Sequence, residues 1–193
     1  KNSIEFYNKC LKTSDNPKIN KYLSPAYSNI ATLYLEKNDT VNAINTYKKS
    51  YEIDKQSNNS EGMYYSSSKL ASILQKNKPE DALEYFNIAL DCAKLTKDTF
   101  YIVSASLAIG DLHYDKKQDE IALKNYIYAL DFAQNKLSDD NINKIQSRIN
   151  DIKFRMGVEN YDKLVEIIRK QEQDNDHEWS PIKTTKIFKY WTR

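Results

Sequence analysis

The sequence predicts an all-α protein of stacked antiparallel helix hairpins, and three observations predict it. The 193 residues include only three Gly and four Pro, too few for a strand-and-turn protein, while Lys, Asn, Leu, Ile and Ala are abundant. Apolar and small residues recur at helical spacing between short polar breaks. That pattern also repeats: Ala31, Ala71 and Gly110 lie 40 and 39 residues apart, and Ala43, Ala82 and Ala122 lie 39 and 40 apart. A fixed period of this size marks an array in which each hairpin buries its apolar face against the next.

The elements follow in order. Ser3 to Lys12 is spaced as a second helix without its first, because Ser3, Tyr7 and Cys10 each precede Ala43, Tyr47 and Ser50 by 40 residues; residues 1–13 are therefore expected to be half a repeat. Asp15-Asn16-Pro17 breaks it. Ser24, with Pro25 after it as the first helical residue, opens the repeat 24–56. Its first helix runs to about Lys37, and Asn38-Asp39-Thr40 turns the chain and caps a partner helix from Val41 to Gln56. Ser57-Asn58-Asn59-Ser60 leads to the repeat 61–95, with Pro79 in the first turn of its second helix. Asp98 or Thr99 caps the repeat 98–136, whose two helices are joined by Asp115-Lys116-Lys117-Gln118.

Asp139-Asp140 opens a further helix to Met156, with Ile142, Ile145, Ile149 and Ile152 on one face; Gly157 stops it, and Glu159 to Arg169 forms a shorter helix. Asn150 and Asp162 keep the period but place polar groups in the small-residue slots, so 139–172 reads as a degenerate repeat that closes the array. The repeat domain thus spans 1–173. Residues 174–193 continue a hydrophilic linker into an aromatic, basic tail, Trp179 to Arg193.

The first helices carry Ile30-Ala31-x-x-Tyr34, Leu70-Ala71-x-x-Leu74 and Ile109-Gly110-x-x-His113. The second helices carry Ala43-x-x-x-Tyr47 with Ser50, Ala82-x-x-x-Phe86 with Ala89, and Ala122-x-x-x-Tyr126 with Ala129. This figure resembles the tetratricopeptide repeat, whose pattern is Leu-Gly-x-x-Tyr, Ala-x-x-x-Phe, then Ala. No Trp opens a repeat and no Pro closes one. The period exceeds the usual length of about 34 residues, which resembles the long-repeat members such as kinesin light chains and bacterial peptide-sensing regulators. The resemblance implies a right-handed superhelix whose first helices line a concave groove, and a protein or peptide partner held there.

Little else in the sequence suggests chemistry. Lys and Arg number 29 against 27 Asp and Glu, and no block of five like charges occurs, so the footprint of a nucleic-acid binder is missing. No apolar run approaches the roughly 18 residues of a membrane span. No Gly-rich loop could cradle a phosphate. His113 occupies a packing slot, and His177 sits in a solvated acidic run that does not converge on a cation. Ser28, Ser66, Ser67, Ser68, Ser72, Ser104 and Ser106 have no histidine placed to activate them. Cys10 and Cys92 fall on apolar helix faces as small buried thiols. No catalytic residue, metal site or cofactor is expected. The chain begins inside a repeat, which suggests a piece of a longer protein, expected in the cytoplasm.

What remains is surface. The groove-facing positions, a turn from each small packing residue, are Ser28, Asn29, Thr32 and Glu36; Tyr65, Ser68, Ser72 and Lys76; Leu107, Asp111, Tyr114 and Asp115; and Ser147, Asp151 and Arg155. Relatives that grip a C-terminal carboxylate use Lys, Asn and Arg there. This chain has Ser28, Ser68 and Leu107, then Thr32, Ser72 and Asp111, so that cationic clamp is absent, and Asp111, Asp115 and Asp151 make one end acidic. Asn29 is similar to the asparagine by which long-repeat relatives hold a peptide backbone; Lys69 and Ala108 replace it in the next copies. The expected function is a non-catalytic protein- or peptide-binding scaffold. The alternative is the sensor or assembly segment of a larger signalling enzyme or transcriptional regulator. Trp179, Ile182, Ile187, Phe188, Tyr190 and Trp191 of the tail need a surface, which could be the end of the array near Leu164, Val165 and Ile168, a groove of this or a second copy (self-association), or a domain beyond Arg193.

Overall fold

The computed structural model describes residues 20–133 and 139–174. The half repeat expected over 1–13, Cys10, His177 and the aromatic tail lie outside the described residues. Eight helices are described: α1 (Asn20–Glu36), α2 (Thr40–Gln56), α3 (Ser60–Leu74), α4 (Pro79–Thr96), α5 (Thr99–Asp115), α6 (Asp119–Ala133), α7 (Asp139–Met156) and α8 (Val158–Asp174). They fall into two compact units, divided between Lys97 and Asp98. In the first, α1 packs on α2, α2 on α3 and α3 on α4; in the second, α5 packs on α6, α6 on α7 and α7 on α8.

The turns share one solution. Asn38, Asn58, Lys97 and Lys117 each adopt a left-handed backbone, with φ of 58°, 52°, 56° and 57°, as the residue that ends a helix commonly does. The next residue then starts the following helix. Asp39 accepts from the Asn42 amide at 3.2 Å, Asn59 from Gly62 at 3.3 Å and Asp98 from Tyr101 at 3.0 Å, each satisfying an amide that the helix itself leaves orphaned. Pro79 stands in the first turn of α4, where its missing N–H costs nothing. Gly157, at φ 80°, separates α7 from α8.

Two helix boundaries differ from expectation. α1 begins at Asn20 instead of Ser24, with Pro25 inside it. Pro25 removes only one early bond of the ladder, and Ser24 turns its hydroxyl into the hairpin rather than capping. α8 runs on to Asp174 where Arg169 was the expected end. Glu159–Lys163 at 2.7 Å and Glu166–Lys170 at 2.9 Å are i, i+4 pairs along it, and no Gly or Pro interrupts.

The small residues lie where the period places them. Ala31, Ala43, Ala71, Ala82, Ala89, Ala122 and Ala129 have no exposed surface, and Gly110 is buried. A Cβ on Gly110 would stand 2.7 Å from Cε1 of Tyr126, so the ring has room only because that side chain is missing. In the first unit Ala31, Tyr47 and Leu70 form a core with Leu35, Ile44, Ile73 and Tyr85 packed against it. The last hairpin works differently. Asn150 and Asp162, which keep the period, are both exposed, because an unpaired polar group is costly to bury. Ile145, Ile149 and Ile152 of α7, with Tyr161, Leu164, Val165 and Ile168 of α8, are buried instead.

Candidate functional site

The expected binding positions lie on α1 and α3 of the first unit and on α5 and α7 of the second, and the structure sorts them by what the hairpins already use. Ser28 is only 7% exposed. Its hydroxyl lies 2.8 Å from that of Ser50, which stands 3.0 Å from Ser24 Oγ. Ser24 in turn donates to Asp54, a carboxylate 1% exposed that also accepts from Asn59 Nδ2 at 2.8 Å. A Cβ on Gly62 would meet this carboxylate at 2.3 Å, so Gly62 makes its space. Ser28 therefore belongs to a buried polar network between α1, α2 and the start of α3, and does not face solvent as its spacing suggested. Sequence reasoning missed Asp54. Its only signal was an acidic residue four positions after Ser50 on the apolar side of α2.

Thr32 is half-buried, its hydroxyl 2.8 Å from that of Tyr47. One repeat pair on, Asp111 accepts from the Tyr126 hydroxyl at 2.6 Å. The same position is latched in both hairpins by the second-helix aromatic. The tyrosines were expected to turn their hydroxyls to water, but Tyr47 and Tyr126 have none of their surface exposed. Burial pushes both phenols above their ordinary range, and the Asp111 carboxylate pushes Tyr126 further. Between these hairpins Phe86 stands in the tyrosine's place with no hydroxyl to offer. Ser72 is accordingly exposed, bonding only the Ser68 carbonyl of its own helix at 2.8 Å.

Asn29, Glu36, Tyr65 and Ser72 are exposed on α1 and α3, Ser68 is half-buried, and Lys76 is exposed in the turn after α3. The Tyr65 ring packs 6.5 Å from that of Tyr47 under the Lys69 ammonium, 5.5 Å away. On the second unit Leu107 and Tyr114 are half-buried, while Asp115, Ser147, Asp151 and Arg155 are exposed. Arg148 of α7 pairs with Asp111 at 3.4 Å, and Arg155 pairs with Asp119. Both guanidiniums lie against the Tyr114 ring, at 5.0 and 4.0 Å from its centre. The acidic end expected from Asp111, Asp115 and Asp151 is thus partly neutralised, and Asp115 and Asp151 carry what charge remains. Arg148 was missed, although its position seven residues before Arg155 puts both on one face of α7.

The histidine expected to be structural is engaged locally: His113 Nδ1 lies 2.7 Å from Gln118 Oε1 across the α5–α6 turn. Cys92 is a buried free thiol, its ionisation opposed by that burial. Among the described residues no three His, Cys, Asp or Glu side chains converge on a metal position, and no helix is long and apolar enough to cross a membrane.

Residues 24–57 match the family model described as tetratricopeptide repeat. Among solved structures, the chain is similar to BtubC (BKLC) from P. vanneervenii, with a TM-score of 0.69 at 17% identity over 94% of this chain and 76% of that one. It is also similar to a chain described as a kinesin light chain of Podosopora anserina with nearly identical TPR-like repeats, with a TM-score of 0.63 at 14% identity over 91% of this chain and 86% of that one. A search of curated proteins finds no significant match. The protein is therefore a tetratricopeptide-repeat protein, with an all-α helical repeat fold.

Proposed function

We propose that the chain is a non-catalytic scaffold that binds a protein or an extended peptide on the exposed faces of its first helices. The observation that carries this reading is a division of labour on those faces. Ser28, Thr32 and Asp111 are spent on holding hairpins together, whereas Asn29, Tyr65, Ser72, Asp115 and Asp151 stand in solvent. An exposed tyrosine ring beside exposed amide and hydroxyl groups suits a peptide, which offers backbone donors and acceptors together with apolar side chains. A cytoplasmic site of action belongs to the same reading, supported by the reduced, buried thiol of Cys92.

Selection from a displayed library of random peptides tests it. Peptides enriched on the unmodified chain should lose about tenfold or more in affinity, measured by titration calorimetry, with Tyr65→Ala or with Asp115→Lys and Asp151→Lys together. Glu120→Lys, on the exposed face of second helix α6, should leave affinity unchanged. Equal losses from all three variants would place the interface elsewhere.

A further inference from the structure

The side chain most out of place on the described surface is Phe154, 91% exposed in the last turn of α7. Asp140, Ser147, Asp151 and Phe154 follow one another at 7, 4 and 3 residues, which sets them in one narrow stripe along the helix. All four are exposed. At 1.5 Å per residue the stripe is about 21 Å long. Arg155 at its border is committed to Asp119, and neither Asp140 nor Asp151 has an ion pair among the described residues. Lys144 is the one cation beside the stripe left without a carboxylate partner there. The surface is an acidic strip ending in a bare aromatic ring.

The chain itself supplies a complement. From Trp179 to Arg193 there is no acidic residue, while Lys183, Lys186, Lys189 and Arg193 alternate with large apolar side chains that include Ile187, Phe188 and Trp191. Connection favours the same pairing. α8 turns back at Gly157 and packs on α7, with Lys153 over the Tyr161 ring at 4.8 Å. Its end at Asp174 thus returns toward Asp139 and Asp140. At about 3.3 Å per extended residue, roughly ten residues beyond Asp174 outrun the stripe.

We propose that the C-terminal segment 179–193 docks in cis on this α7 stripe, its apolar side over Phe154 and its lysines along Asp140 and Asp151. Docking would cover Ser147 and Asp151 and so would shut that part of the proposed binding face until a partner displaces the tail. This last consequence rests on the scaffold reading. The docking does not, and it is tested without any partner.

Trp179 and Trp191 are the only tryptophans in the sequence, so tryptophan fluorescence of the full chain reports the tail alone. Acrylamide quenching in the full chain should be several-fold weaker than in a synthetic 179–193 peptide, with blue-shifted emission, and independent of protein concentration. Phe154→Ser with Asp151→Lys should return quenching to the peptide's level while far-UV circular dichroism stays unchanged. Asp140→Lys, at the other end of the stripe, provides the same readout should the double variant lose helicity. Quenching equal to the free peptide's in the unmodified chain would overturn the proposal. So would protection that neither variant changes, or protection that appears only as a dimer forms.

Discussion

Tyr126 shows what one residue contributes and what its spacing could not announce. It fills the fourth position after Ala122, touches the face left bare by Gly110, and donates its phenol to Asp111. The sequence pattern predicts the first two facts, because small-to-aromatic spacing is a geometric rule of helices. The third depends on which hydroxyl in a neighbouring helix comes within reach, and periodicity does not encode that. The same gap explains Ser28, whose face was right and whose depth was not. The latch has a pH signature. Burial and Asp111 raise the phenol's ionisation above its ordinary value of 10.0, so the unfolded chain releases this proton first as pH rises. The latch's contribution is complete below about pH 10 and declines above it. The urea midpoint should therefore hold from neutral pH to about 10 and then fall. Tyr126→Phe should cost about 1–2 kcal/mol at neutral pH through the lost bond to Asp111, and its alkaline decline should be shallower. An identical alkaline slope in the variant would show that other groups set it.

Among elements, the turns were the most legible and the terminal hairpin the least. Asn38-Asp39, Asn58-Asn59 and Lys97-Asp98 each pair a left-handed residue with a capping side chain, and the caps could be named from residue type alone. The α1 start was missed because Ser-Pro is a strong local signal that a buried hydrogen-bond network overrode, Ser24 being drawn to Asp54. In α7–α8 the period suggested Asn150 and Asp162 for the packing slots, but the isoleucines of α7 took them, since burying a branched apolar side chain is favourable where burying an unpartnered amide is not. The caps should matter measurably. Asp98→Ala leaves the Tyr101 amide without its acceptor and should destabilise the chain by about 1 kcal/mol, read as a lower denaturant midpoint with the same slope. A midpoint that does not move would mean water replaces the carboxylate at no cost.

At the scale of the whole molecule, repeat order followed from the 39–40-residue period, whereas the division between Lys97 and Asp98 had no mark in the sequence, where the turn at that point resembles the others. In a chain whose hairpins pack on their neighbours in sequence, stability is a sum of local terms and couplings to the next element, so a lesion should fade with distance. Gly110→Ala is suited to the test. Its new methyl group would stand 2.7 Å from a ring that is fully buried and held at its far end by Asp111, and neither ring nor helix can yield freely. Overpacking of this kind costs about 1–3 kcal/mol. Native-state hydrogen exchange should show the largest loss of protection in α5 and α6, a smaller loss in α7, which packs on α6, and the least in α1 and α2, which pack on each other. Uniform loss across all helices would mean that the described chain opens as a single cooperative block, and the nearest-neighbour account of its stability would have to be given up.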